Sequence, residues 1–491
     1  MSGNGTSNGG QRNLRVAVIG AGMSGILTGI KLQEAGYTDF VIYEKAGWLG
    51  GTWRDNTYPG LSCDIPSHLY RYSFEPNPDW SRLFSPGAEI NEYLAHVAEK
   101  YNVMPYIQFN KDVVRCEYQD ERWHIASRDG TRDVADVVIA ATGVLRDPVM
   151  PDIPGLGDFQ GDTFHAARWN HDVALEGRRI GIVGTGSTAI QIVPAIIDDV
   201  QHLSLFQRTA QWVFPLANPP YSEQDKNNFR SSPEMMTHIF NRFAERIDNS
   251  FAAAVVGDHE QLKLIEQACL ENLAQVEDPQ LRAALTPDYT VACKRLIMSD
   301  EFYPAIQKPN ASLVTSHIER VEAGGVRTQD GTLHELDVLV LATGFDGHRF
   351  IRPMQVIGRG GLTVDEYWED ATFAYKSVSI PEFPNFFMLL GPHSPIGNLC
   401  LIEVAEIQVK YVLQLMALIR DGTYREVVAK QEAVEQFAAE IKEAMKDTVW
   451  VTGCRSWYQD KHGTPAIWPW HVRKFRSDMQ QPILQDYELV S

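Results

Sequence analysis

Two short apolar runs, Val16–Ile19 and 180–183, each stop at a glycine-rich turn and give way to a helical pattern. Four consecutive apolar residues without polar alternation read as a strand buried on both faces, as in a parallel sheet. The turns are Gly20-Ala21-Gly22-Met23-Ser24-Gly25 and Gly184-Thr185-Gly186-Ser187-Thr188-Ala189. Further apolar runs at Phe40–Tyr43 and 203–206 make each turn the opening of a strand–helix–strand unit. A second pair of runs nearly repeats itself: Asp136-Val137-Val138-Ile139-Ala140-Ala141-Thr142-Gly143 and Asp337-Val338-Leu339-Val340-Leu341-Ala342-Thr343-Gly344. These read as strands that close two copies of one nucleotide-binding architecture. The expected fold class is α/β, with two Rossmann-like dinucleotide-binding domains and a helical insertion.

The residue 24 positions beyond each turn separates the copies. From Gly20 the count reaches Glu44; from Gly184 it reaches Arg208. A carboxylate there accepts a hydrogen bond from a ribose 2′-hydroxyl, whereas a guanidinium suits a 2′-phosphate. Thr209 is placed to donate a second hydrogen bond. The glycines let the backbone approach a pyrophosphate, whose charge faces the N–H groups of the next helix. The pattern therefore points to FAD on Gly20, Gly22, Ser24, Gly25 and Glu44. It points to NADPH on Thr185, Gly186, Ser187, Thr188, Arg208 and Thr209. Electron transfer from NADPH to flavin is the expected chemistry.

Between the copies, Pro148-Val149-Met150-Pro151-Asp152-Ile153-Pro154-Gly155 forms a proline-rich extended crossover. Positions 219–287 are rich in Glu, Asn, Ala and Gln, lack strand signals and read as the helical insertion. Helical patterns return at 402–419 and 430–444, followed by an aromatic segment at 450–470. The expected organisation is a disordered Gly/Ser/Asn-rich terminus at 1–13 and an FAD-binding part at 14–150. An NADPH-binding part at 151–218, the insertion at 219–290 and a second NADPH-binding part at 291–380 follow. Residues 381–491 are expected to return to the FAD half.

Composition narrows the partners. The 491 residues exceed one hydrophobic core. A net charge of -19 disfavours nucleic acid and anionic membranes. The run at 412–419 is broken by Gln414 and is too short to span a bilayer. The N-terminus lacks the apolar stretch of a signal peptide. A cytoplasmic monomer or homodimer is expected. Six cysteines (Cys63, Cys116, Cys269, Cys293, Cys400 and Cys454) are scattered without a CxxC pair. Neither a disulfide nor a metal site is expected, which fits a reducing compartment.

Gly50-Gly51-Thr52-Trp53, Tyr58-Pro59-Gly60 and Asp64 follow the Glu44 strand. Their glycines suit close approach to the isoalloxazine or ribityl chain, with Trp53 packing on the flavin. Phe159-Gln160-Gly161-Asp162-Thr163-Phe164-His165-Ala166-Ala167-Arg168-Trp169 precedes the second turn and has the spacing FxGxxxHxxxW. Taken singly, His165 reads as a structural histidine and Trp169 as core. Trp212 and Phe214 suit either an apolar pocket or core.

As a unit, Phe159, Gly161, His165 and Trp169 resemble the fingerprint of the type I Baeyer–Villiger monooxygenases, flavoproteins that insert oxygen beside a ketone carbonyl. Gly51-Thr52-Trp53 through Asp64 is similar to that family's second motif, and Ala342-Thr343-Gly344-Phe345-Asp346 to its third. The resemblance runs from about Leu14 to Trp470. Asn170 departs from the Pro or Asp usual after the fingerprint Trp, which keeps the related N- or S-oxygenating flavin monooxygenases as the alternative. The resemblance implies roles residue by residue. Arg295, in Cys293-Lys294-Arg295, would be catalytic, with Asp64 orienting it. Tyr70 and Val113 would contact FAD. Gln191, Lys294 and Trp457 would contact NADP. The implied reaction uses O2 and a small apolar ketone through a C4a-peroxyflavin, whose anion a guanidinium stabilises.

Overall fold

The computed structural model describes residues 12–491; of the terminus expected to be disordered, 1–13, residues 1–11 lie outside them, and Arg12 donates its N–H to the Arg420 carbonyl at 2.7 Å. Val16–Ile19 is buried at every position and lies between Phe40–Tyr43 and Val137–Ala140. Ile107–Gln108 and Phe386–Met388 complete this five-stranded parallel sheet. A second five-stranded parallel sheet has the order Ala311–Val314, His202–Phe206, Arg179–Val183, Val338–Leu341, Asp162–His165. In both sheets the glycine turn leaves the C-terminal end of the central strand, where open parallel sheets bind ligands.

The internal repeat extends to side chains. Asp136 Oδ2 accepts the N–H of Arg15 at 2.8 Å, and Asp337 Oδ2 accepts that of Arg179 at 2.8 Å. Each carboxylate fixes the start of the neighbouring strand. Val137 thereby pairs with Val16, and Val338 with Ile180.

The C-terminal chain meets the first half. Phe386–Met388 lies beside Val137–Ala140, and the Leu401–Arg420 helix packs on Met23–Glu34. Between 219 and 287 the chain is helical, with helices Glu223–Ser231, Pro233–Asn249, Phe251–Ala254, His259–Leu273 and Pro279–Ala284. Among the described residues, no helix is long and apolar enough to cross a membrane. Two smaller sheets escape the apolar pattern because their strands are only half-buried. One comprises antiparallel Val113–Gln119, Arg122–Ser127 and Arg132–Ala135 with Gln355–Ile357 added in parallel; the other comprises antiparallel Ile318–Glu322, Gly325–Thr328 and Leu333–Glu335.

The loop Tyr58-Pro59-Gly60 docks the first half on the second. Tyr58 donates from its hydroxyl to Gln191 Oε1 at 2.9 Å, and Gln191 Nε2 donates to the Ser62 carbonyl at 3.0 Å. Gly60 has φ +79°, and a Cβ there would stand 2.4 Å from the Gln191 carbonyl oxygen. Gly60 thus serves contact with the Ser187–Ile196 helix, not approach to a flavin. Gly60→Ala should destabilise the protein by about 1–3 kcal/mol, the cost of left-handed strain with a clash added. Gly36→Ala is the control, since Gly36 has φ +80° and open space where its Cβ would lie. Thermal unfolding of the two variants should show the larger loss at Gly60.

One expectation fails. Cys293 and Cys454 form a disulfide across 161 residues, with Cα atoms 6.2 Å apart. Cys63, Cys116, Cys269 and Cys400 are free and buried. No spacing rule marks such a pair, because only the fold brings its two segments together.

Candidate active site

The first cradle is built from two facing glycine turns. The Met23–Glu34 helix starts at Gly22 without a side-chain cap, so its N-terminal N–H groups stay available. A Cβ on Gly22 would meet only Gly51, at 3.6 Å, leaving room before the helix. Glu44 is buried, with Oε2 accepting the Ala21 N–H at 2.9 Å and Oε1 that of Ala46 at 2.9 Å. Arg54 Nη1 also donates to Oε1, at 2.9 Å, and to the Trp48 carbonyl. Three donors on a carboxylate with about four acceptor sites leave one for a ribose hydroxyl. The sequence reading missed Arg54, which stands in the one-turn helix Thr52–Asp55. Trp53 donates to the Tyr70 hydroxyl at 3.1 Å with the rings edge-on. Ser24 is buried in the first helical turn, and Val113 opens an antiparallel strand. These residues fit a dinucleotide with an unphosphorylated ribose.

The second cradle opens into a cavity of about 680 Å³. The Ser187–Ile196 helix also starts uncapped, at Gly186, and a Cβ on Gly186 would meet nothing within 4 Å. Thr185, Gly186, Ser187, Arg208, Thr209, Lys294, Arg295 and Trp457 all line the cavity. Thr185 Oγ1 donates to the Thr209 carbonyl at 2.9 Å, joining the glycine turn to the loop that carries Arg208. Thr188 and Gln191 lie outside the lining, and Gln191 engages the first half instead.

Lys294 stands 4.4 Å from the centre of the Tyr289 ring. Burial, and then the positive charge of Arg208, hold its pKa below the ordinary lysine value. A dianion between these cations would relieve that repulsion and return the proton. Affinity for NADP+ should therefore fall as pH rises through the depressed Lys294 value, because the ammonium is lost. NAD+, which lacks the 2′-phosphate, should show no such dependence. Titrations of both nucleotides from neutral to alkaline pH check this.

Arg295 is where the halves meet. Its Nε donates to Asp64 Oδ2 at 3.2 Å and Nη2 donates to the same oxygen. Asp64 comes from the loop after the first cradle, and Arg295 from the chain beyond the helical insertion. Asp64, above all, raises the Arg295 pKa further, so the guanidinium is permanently charged. About a third of the Arg295 side chain (32%) stays open. The sequence reading missed a second neighbour, the buried phenol of Tyr458, which helps to raise the Arg295 pKa. Beside it, Trp457 packs on Tyr458 at 4.5 Å, and its carbonyl lies 2.7 Å from His348 Nε2.

None of the fingerprint residues lines the cavity. His165 Nδ1 accepts the Ala167 N–H at 3.0 Å, capping a short helix. Burial lowers its pKa, against an opposing effect of the Gly344 backbone. Phe164 and Trp169 meet edge-on at 5.0 Å. A Cβ on Gly161 would stand 2.4 Å from the Asp337 carbonyl oxygen. His165 pairs with Leu341, just before the Ala342-Thr343-Gly344 motif. The fingerprint thus seats the edge strand entering the second half. Trp212 is core, its Nε1 donating to the Tyr289 carbonyl at 2.7 Å.

Two dinucleotide cradles, one acidic and one cationic, that converge on a single ion pair define a two-nucleotide redox enzyme. The chain belongs to the flavin-binding monooxygenase-like family, whose model matches residues 13–354. It is 40% identical over 484 residues to a Baeyer–Villiger monooxygenase of Streptomyces coelicolor, with 97% of this chain and 93% of that one covered. An uncharacterized monooxygenase of Mycobacterium tuberculosis is 47% identical over 474 residues, 96% of each chain. The crystal structure of cyclohexanone monooxygenase from Rhodococcus sp. Phi1 bound to NADP+ matches with a TM-score of 0.87 at 28% identity. That match covers 97% of this chain and 99% of that one. The resemblance to type I Baeyer–Villiger monooxygenases drawn from the sequence therefore stands.

Proposed function

We propose that this chain is an FAD-dependent, NADPH-consuming Baeyer–Villiger monooxygenase, acting in the cytoplasm as a monomer or homodimer on a small apolar ketone. The balance is ketone, O2, NADPH and a proton to ester or lactone, NADP+ and water. The observation that carries this reading is the Asp64–Arg295 pair, drawn from opposite halves and facing the cavity that Arg208 and Lys294 share. Bound FAD would supply the hydride acceptor and the site of O2 activation.

The residues of the chain do the rest. Gly22, Gly51 and Glu44 would hold the FAD phosphates and ribose, with Trp53 and Tyr70 beside the flavin. Gly186, Ser187, Arg208, Thr209 and Lys294 would hold NADPH with its 2′-phosphate toward the cations. Arg295 would stabilise negative charge developing on oxygen, and needs no proton transfer to do so. Asp64 and Tyr458 would hold its planar fork in place while one face stays free. Trp457 would cover the cavity and keep water out.

Supplying NADPH and a series of ketones, with product analysis for esters and lactones, tests this reading. Ester formation tied to NADPH oxidation is the expected result. NADPH oxidation that returns all the O2 as hydrogen peroxide, whatever the ketone, would overturn it.

A further inference from the structure

The Cys293–Cys454 disulfide joins two walls of one cavity. Cys293 precedes Lys294 and Arg295, and Cys454 precedes Arg455, Ser456 and Trp457; all five of these line the cavity. Gly453 at φ +104° and Gly463 at φ +80° bracket the second segment, and neither would meet anything within 4 Å if it carried a Cβ. Left-handed glycines in open space at both ends make natural hinges. Between them the segment is anchored at Tyr458, which is buried with its ring against Trp450, and by Gln459 and Lys461, which donate to the Trp450 and Glu369 carbonyls. The Trp457 carbonyl meets His348, the His462 ring lies 2.9 Å from the Asp370 carbonyl, and Tyr458 faces Arg295. The disulfide is its one covalent tie to the Arg295 loop.

We propose that Cys293 and Cys454 form a reversible redox site that tethers the 453–463 segment over the NADP cavity. Oxidised, the tether holds Trp457 against the cavity; reduced, the segment swings about its glycines and releases the nucleotide. The inference rests on the NADPH reading above. Disulfides in a reducing compartment are ordinarily transient and redox-sensing, which fits this role. Cys454 is 8% exposed and Cys293 is not exposed at all, so an attacking thiolate meets Cys454 first. A dithiol reductant forms a mixed disulfide at Cys454 Sγ and expels the Cys293 thiolate. It then closes on itself, leaving two thiols on the protein for two electrons transferred. Hydrogen peroxide, the two-electron oxidant that uncoupled turnover would supply, re-forms the bond and is reduced to two waters.

Coupling is reciprocal, so a tether that tightens NADP+ binding is itself favoured by NADP+. The test uses the FAD-loaded protein, oxidised or treated with dithiothreitol, beside Cys454→Ser. Thiol titration after denaturation should give four thiols in the oxidised form and six in the reduced form. Reduction should speed amide exchange across 453–463. It should also raise the NADP+ dissociation constant at least about fivefold, the lower end of ordinary coupling. Cys454→Ser should match the reduced form under both conditions. Six thiols after treatment with oxidised glutathione would overturn the proposal, as would unchanged exchange and affinity on reduction. Faster exchange with no NADP+ binding by either form would overturn the NADPH reading and leave the tether standing.

Discussion

Arg295→Ala should slow ester formation on the order of 10²–10³-fold while leaving NADPH able to reduce the flavin. In the proposed reading NADPH would be held mainly by Gly186, Ser187, Arg208 and Thr209, which line the same cavity, so hydride delivery would not need Arg295. The step that does need it develops negative charge on oxygen. Removing one preorganised donor at such a site typically costs on the order of 10²–10³ in rate, or about 3–4 kcal/mol. The open face of Arg295 beside Asp64 and Tyr458 places the charge before any reaction begins. Arg295→Lys should recover little, because a single ammonium cannot reproduce the guanidinium fork held by Asp64. NADPH oxidation should continue in both variants, with O2 released as hydrogen peroxide. Rapid-mixing measurements of flavin reduction beside product assays read the two steps separately. Full ester formation by the alanine variant would remove Arg295 from the chemistry.

Arg208→Ala should change which nicotinamide nucleotide the protein uses. Hydrogen bonds to charged groups contribute about 1.5–3 kcal/mol, so KM for NADPH should rise roughly 10- to 150-fold. KM for NADH should barely move, since that nucleotide lacks the 2′-phosphate. Lys294 stays in the cavity and keeps part of the preference, so the variant should not become fully selective for NADH. Kinetics with both nucleotides check the ratio. An equal loss for both would mean that Arg208 supports the loop and not the phosphate.

The sequence made the sheets legible because their central strands are buried on both faces, and such strands are written as unbroken apolar runs. Glu44 and Arg208 were legible because a strand–helix–strand unit has a nearly fixed length, so counting reaches the end of its second strand. The smaller, half-buried sheets were not, since their polar alternation resembles surface. Gly60 and Gln191 were motif residues whose use lies in docking the halves, and only tertiary contact shows that. Tyr458 and the Cys293–Cys454 pair were hidden for the same reason: each reaches a partner more than 150 residues away. His165 and Trp169 carry a recognisable pattern yet stay out of the cavity. What their spacing encodes is the seating of an edge strand, in keeping with the structural part each residue suggests when taken singly.

The most direct test of the central claim is product analysis under isotopically labelled O2, with NADPH and a ketone that the protein turns over. The account predicts an ester or lactone carrying one labelled oxygen, inserted beside the former carbonyl, with the second label in water. An unlabelled product, or a label found on nitrogen or sulfur compounds and never beside a ketone carbonyl, would contradict it.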